Sequence, residues 1–152
     1  MALPSVFDSK TTEETFKRLE KITYVSKPQW GKMNAAQMLA HLNVAYDLAY
    51  DKIQVKNSGF KKFILKLLVK PMVVGEKGYK KNSQTAPEFI IADERDFEKE
   101  KSKFIDNVKQ TEAHGAKYFE GKESKSFGVM TAKEWSNQFY KHIDHHFSQF
   151  GV

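Results

Sequence analysis

The chain contains no cysteine. That excludes disulfides, thiolate metal sites and a cysteine nucleophile together, so any transition metal must be held by histidine and carboxylates. Long apolar runs are also missing. No stretch approaches the ~18 apolar residues of a membrane-crossing helix. The opening residues, Met1 to Asp8, carry neither the basic n-region nor the long apolar h-region of a secretory leader. The expectation is a cytoplasmic protein with no transmembrane segment. Acidic residues are scarce in one place: from Lys52 to Lys81, nine lysines stand against a single acid, Glu76. The net charge of +6 therefore belongs to that segment, and the remainder is slightly acidic.

What is present suffices for a core. The 152 residues are 40% hydrophobic with twelve phenylalanines, which argues for one packed domain over residues 1–152 rather than disorder. Four longer helices are readable. The first is expected from about Thr12 to Ile22, with Thr11 and Glu14 as a capping-box pair and Phe16, Leu19 and Ile22 as its apolar stripe. Residues 24–33 read as a loop around Pro28 and Gly31. The second helix starts at Asn34, where Asn34 and Gln37 have capping-box spacing, and carries Met38, Leu42, Ala45, Tyr46, Ala49 and Ile53. The third is expected from about Asp93 to Ala113, stopping at Gly115. The fourth starts at Thr131, capped with Glu134, carries Trp135, Phe139, Ile143 and Phe147, and ends near Gly151.

Between the second and third helices lies a long crossover. Within it Phe60, Phe63, Ile64, Leu67 and Leu68 recur at helical spacing, with Lys61, Lys62, Lys66 and Lys70 on the other side. That predicts a short amphipathic helix stopped by Pro71, its apolar side packed on the other helices and its lysines in water.

The chemistry-bearing pattern is the closing run Lys141-His142-Ile143-Asp144-His145-His146. His142 and His146 are one helical turn apart, so their side chains start roughly 5–6 Å from each other and can lean onto one ion. Taking Trp135 as zero, the two rings fall about 20° to either side of it, at the margin of the buried face that runs on through Phe139, Ile143 and Phe147. His145 and Asp144 turn outward. A third ligand must come from another element, and His41, flanking the apolar stripe of the second helix, is the candidate. Three imidazoles with open positions would be a catalytic layout, and neutral imidazole suits Zn, Ni and Fe. The competing reading of the same residues is helix-surface polarity, or a terminal cation favoured at a helix C-terminus. His114, just before Gly115, reads as a helix-end residue.

Taken together, Trp30-Gly31-x-Met33, Gln37-Met-Leu-Ala-His41-Leu42, Met130-Thr-Ala-Lys-Glu-Trp135 and His142-Ile-Asp-His-His146-Phe-Ser-Gln149 resemble the DinB/YfiT-like superfamily, in a branch of bacterial domains of unknown function. The resemblance covers nearly the whole chain. It implies an all-α fold, a four-helix bundle of up-down-down-up order with the long crossover between helices two and three. It also implies a divalent metal held by His41, His142 and His146; His145 is not carried over as a ligand.

Some members of that superfamily are transferases or isomerases that use a low-molecular-weight thiol. A three-His metal could ionise such a thiol, or a water for hydrolysis, so the expectation is a metal-dependent transferase or hydrolase acting on a small molecule. His145, Gln149 and Asp47 are candidates for contacts that orient the ligand imidazoles. Lys61, Lys62 and Lys66 are candidates for attracting an anionic substrate or cofactor. Two alternatives stay open: a metal- or ligand-binding bundle without catalysis, and a peripheral binder of anionic surfaces through residues 56–81. No nucleic-acid role is expected, since no repeat or dedicated module is present. Relatives in the superfamily often dimerise through helix faces, which admits a homodimer.

Overall fold

The computed structural model describes all residues, 1–152. It is mostly helical, with one short hairpin. The elements are α1 (Ser9–Leu19), α2 (Ala35–Ala49), α3 (Gly59–Ile64), a π-helical stretch (Leu65–Val69), α4 (Lys70–Val74), a 3-10 turn (Pro87–Phe89), α5 (Phe97–Phe119), the strands β1 (Glu123–Ser124) and β2 (Gly128–Val129), and α6 (Ala132–Gln149). The strands pair antiparallel, with Glu123 opposite Val129. No helix is long and apolar enough to cross a membrane.

The two capping boxes that place α2 and α6 are formed. Asn34 accepts from the Gln37 N–H while the Gln37 side chain accepts from the Asn34 N–H. Thr131 and Glu134 do the same for α6. At the other end of α6, Gly151 takes φ 78° just past the last turn, a left-handed stop that favours glycine.

Several boundaries differ from expectation: α1 stops at Leu19 rather than Ile22, α2 stops at Ala49 before Ile53, and α5 starts at Phe97 behind the Asp96 cap rather than at Asp93. α1 begins three residues early, because the Asp8 carbonyl already accepts from the Thr11 and Thr12 N–H groups. Thr11 is buried inside the first turn and caps nothing. α5 continues beyond Gly115, which breaks the helical path with φ 66° and ψ 178° before a further turn ends at Phe119.

The core joins α1, α2, α5 and α6. Tyr46 stacks on Phe139 with ring centroids 4.7 Å apart. Phe104, Phe119, Trp135 and Phe147 close around that pair. α2 packs chiefly along α5, and this seam contains a polar network. Buried Asn43 donates to the Glu100 carboxylate at 2.9 Å and to its carbonyl at 3.1 Å. Asn107 in turn donates to the Asn43 side-chain oxygen at 3.0 Å. Each group satisfies the next, which offsets the cost of burying it.

The crossover departs most from expectation. Pro71 does not stop the helix. The chain loosens into π geometry over Leu65–Val69, and Pro71 then enters the first turn of α4, where its missing N–H costs least. Its faces are also reversed. Leu65, Val69, Val73 and Val74 pack on the core. Four of the five residues expected to face inward are exposed, Phe60 77%, Phe63 61%, Leu67 59% and Leu68 65%, and Ile64 is half-buried.

Replacing Asn43 by Ala strands the Asn107 amide and removes the Asn43 bonds to Glu100, whose carboxylate keeps only Arg95 at 3.5 Å. The expected loss is about 1–3 kcal/mol of unfolding free energy, read as a lower urea midpoint with an unchanged slope.

Candidate metal centre

α2 and α6 bring three imidazoles together. One ring nitrogen from each of His41, His142 and His146 lies within 4.8 Å of the others. The ring centroids are 4.7 Å apart for His41 and His142, 4.5 Å for His41 and His146, and 5.0 Å for His142 and His146. His41 and His146 are buried.

Two of the rings are fixed in tautomer by their far nitrogens. His41 Nδ1 lies 2.8 Å from the Phe89 carbonyl. A carbonyl only accepts, so Nδ1 carries the proton and Nε2 presents a lone pair. His146 Nδ1 lies 2.8 Å from Gln149 Oε1. The Gln149 amide cannot flip, because its Nε2 donates to the Trp30 carbonyl at 2.7 Å. His146 therefore also directs an unprotonated Nε2 away from that bond. His142 Nε2 sits 2.8 Å from His41 Nε2. Since the His41 nitrogen holds a lone pair, either His142 donates its proton there or both lone pairs face one cation. Two bonds of about 2.0–2.1 Å to one ion can span that separation.

Charge is discouraged at every ring. Burial is the main cause of the lowered pKa of His41, against which the Phe89 hydrogen bond acts. Burial pushes His146 down to about 3, with His41 adding to the effect. His142 lies well below its ordinary value, from burial and from its three histidine neighbours. Neutral imidazole is the form a metal binds. A neutral, convergent trio with two of its tautomers fixed fits a divalent transition metal such as Zn, Ni or Fe.

The approach is built from other elements. The 3-10 turn at Pro87–Phe89 supplies the carbonyl to His41 and lays the Phe89 ring edge-on to both His41 and His142. The loop before α2 is pinned to the end of α6, where the Gln29 N–H donates to the Gln149 carbonyl at 2.7 Å. Gly31, at φ 82°, is required there, because a Cβ would stand 2.5 Å from Gln149 Nε2.

His145 is not part of the trio. It packs edge-on to Trp30, Tyr79 and His146. Asp144 points away, to Arg18 at 2.8 Å. Asp47 does not reach a ligand ring; it pairs with Lys103 on α5 at 2.7 Å. Lys62 is paired with Glu123 of the hairpin at 2.8 Å, and Lys61 and Lys66 are exposed. Two other lysines border the aromatic wall. Lys81 lies over the Trp30 ring at 4.2 Å, and Lys141, over Tyr79 at 4.5 Å, is buried, which lowers its pKa to about 8. Sequence reasoning missed Phe89, whose contribution is a backbone carbonyl with no side-chain signature. Only the preceding Pro87 marks a turn there.

A family model described as "Protein of unknown function (DUF1569)" matches residues 6–151. Neither a curated protein nor a solved structure matches the chain.

Replacing Gln149 by Ala frees the His146 ring. Zinc or nickel affinity should fall about 10–100-fold by equilibrium dialysis, and Gly31→Ala should act in the same direction. For protein stripped of metal, the sign of the pH dependence follows from the lowered histidine pKa values. The unfolded chain binds more protons, so stability is full above about pH 6.5 and is lost as pH falls through the acid range. Thermal melts across that range should show a slope that His146→Gln makes shallower.

Proposed function

The chain belongs to the DUF1569 family, and we propose that it is a metal-dependent enzyme whose centre is His41, His142 and His146. The observation that carries this reading is the convergence of three neutral imidazoles with two of their tautomers fixed from behind. A structural zinc site closes all four positions with protein ligands, whereas a trio leaves room for a reactant.

We read α1, α2, α5 and α6 as a DinB-like four-helix bundle of up-down-down-up order, with the ligands on its second and fourth helices. The reaction class is transfer on a small molecule with a low-molecular-weight thiol as co-substrate, or hydrolysis of a small molecule by water. A divalent cation held here supplies Lewis acidity that favours the ionised form of a thiol or a water.

The residues divide the remaining work. The Phe89 carbonyl and Gln149 hold protons on the two Nδ1 atoms, so each Nε2 stays a donor of electrons. The Phe89 ring covers one side of the cluster, edge-on to His41 and His142. His145 packs against His146, and burial lowers its pKa, so its part is to orient that ring rather than to bind the ion. With no cysteine in the chain, the thiol must come from solution. A cytoplasmic setting, where such thiols stay reduced, fits that requirement.

Protein purified without a histidine tag should contain about one equivalent of divalent metal. His142→Ala and His146→Ala should lose it, with turnover on a panel of thiols and electrophilic or ester substrates falling in parallel. Metal-free protein whose variants melt like the parent would refute the site. Bound metal without turnover on any substrate would leave a binding bundle in place of an enzyme.

A further inference from the structure

The outer face of the crossover is an unpartnered apolar surface set among lysines. Phe60, Phe63, Leu67, Leu68 and Met72 are each 59–77% exposed, and together they are five of the eleven large hydrophobic residues exposed in the chain. Contiguous exposure of this kind marks an interaction site more often than scattered surface leucines do. The inner side of the same segment is already engaged, through Leu65, Val69 and Val73 on the core.

Seven lysines of residues 56–80 divide into two sets. Lys62 and Lys70 are paired, with Glu123 and Glu134 at 2.8 Å each. Lys56, Lys61, Lys66, Lys77 and Lys80 are exposed and take no carboxylate partner. Glu76, the one acid among them, is neutralised by Lys133 and the chain's amino terminus.

We propose that this face docks on an anionic lipid surface, with the Phe and Leu side chains entering the headgroup–acyl boundary and the free lysines meeting lipid phosphates. Charge complementarity selects this occupant. A second copy of the chain would bring two strongly basic segments together, and nothing in either offers compensating acids. A nucleic acid would satisfy the lysines but has no use for Leu67, Leu68 and Met72, since bases stack on aromatic rings rather than on aliphatic chains. A short helix with an exposed apolar face and the unpaired Lys61 and Lys66 on the same helix matches interfacial membrane binding on both counts.

The test is co-sedimentation with vesicles of equal parts phosphatidylglycerol and phosphatidylcholine, against vesicles of phosphatidylcholine alone. Binding is expected to the first, at least ~10-fold weaker to the second, and reduced by added salt. Phe63→Ser with Leu67→Ser should weaken it by ~10-fold or more while leaving the thermal melt unchanged, because both side chains are mainly in water. Lys61→Glu with Lys66→Glu should weaken it by more than ~10-fold without touching the apolar face. No binding to anionic vesicles at low salt would overturn the proposal, as would binding indifferent to the Phe63/Leu67 change. Self-association that the Phe63/Leu67 change dissolves, in protein that ignores vesicles, would assign the face to a second copy and overturn it equally.

Discussion

Three imidazoles meet between α2 and α6, two of them buried, and none of them carries a proton charge easily. That constraint organises the rest of the structure. A buried neutral ring still has a polar N–H to satisfy, and leaving it unpaired would cost about 1–3 kcal/mol. His41 meets this with the Phe89 carbonyl, and His146 with Gln149. Each solution requires a further piece of chain. The 3-10 turn at Pro87–Phe89 must come down over α2, and the loop at Gln29–Gly31 must press against the end of α6. Gly31 follows from the second requirement, since a side chain there would displace the Gln149 amide.

α6 is the element through which these demands are joined. Its outward residues hold α1, because Arg18 binds Asp144 at 2.8 Å and the Val152 carbonyl at 2.9 Å while lying over the Phe147 ring. Its flank holds the crossover, through Asn137 and Lys141. Its inner face supplies Trp135, Phe139 and Phe147 to the core and His142 and His146 to the centre. A single helix with a strong capping box can serve four neighbours because its rotation is set by the aromatic core. The histidine pair then stands at the edge of that face.

What was readable in the residues follows from which interactions are local. The start of α6 and the phase of His142 and His146 depend only on Thr131, Glu134 and the 3.6-residue turn, and both are present as read. Gln149 is one turn from His146, so its contact is local too. Asp47 is six residues from His41, about 120° around the helix, which turns it toward α5 and Lys103. The carbonyl of Phe89 lies 48 residues from His41 and left no trace in side-chain chemistry. The crossover was legible as an amphipathic helix but not in its orientation. It carries two apolar faces, and periodicity alone cannot tell which one a core will take.

The orientation is decided by the carbonyls at the end of α4. The last turn of a helix leaves four of them without partners. Here every one is met: Pro71 by the Gly75 N–H, Met72 by Lys141 Nζ at 2.6 Å, Val73 by the Tyr79 hydroxyl at 3.2 Å, and Val74 by Asn137 at 2.8 Å. Two of those donors belong to α6 and can reach only one side of α4. Rotating the helix to bury Phe63 and Leu67 would strand the Met72 and Val74 carbonyls and leave the Lys141 amine buried without a partner. It would also withdraw Leu65, Val69 and Val73 from the core. Surface ion pairs such as Lys62–Glu123 add little to this preference. The exposed stripe is therefore held outward by polar bonds on the opposite side, and the same lysine that fixes it stands next to His142 in the chain.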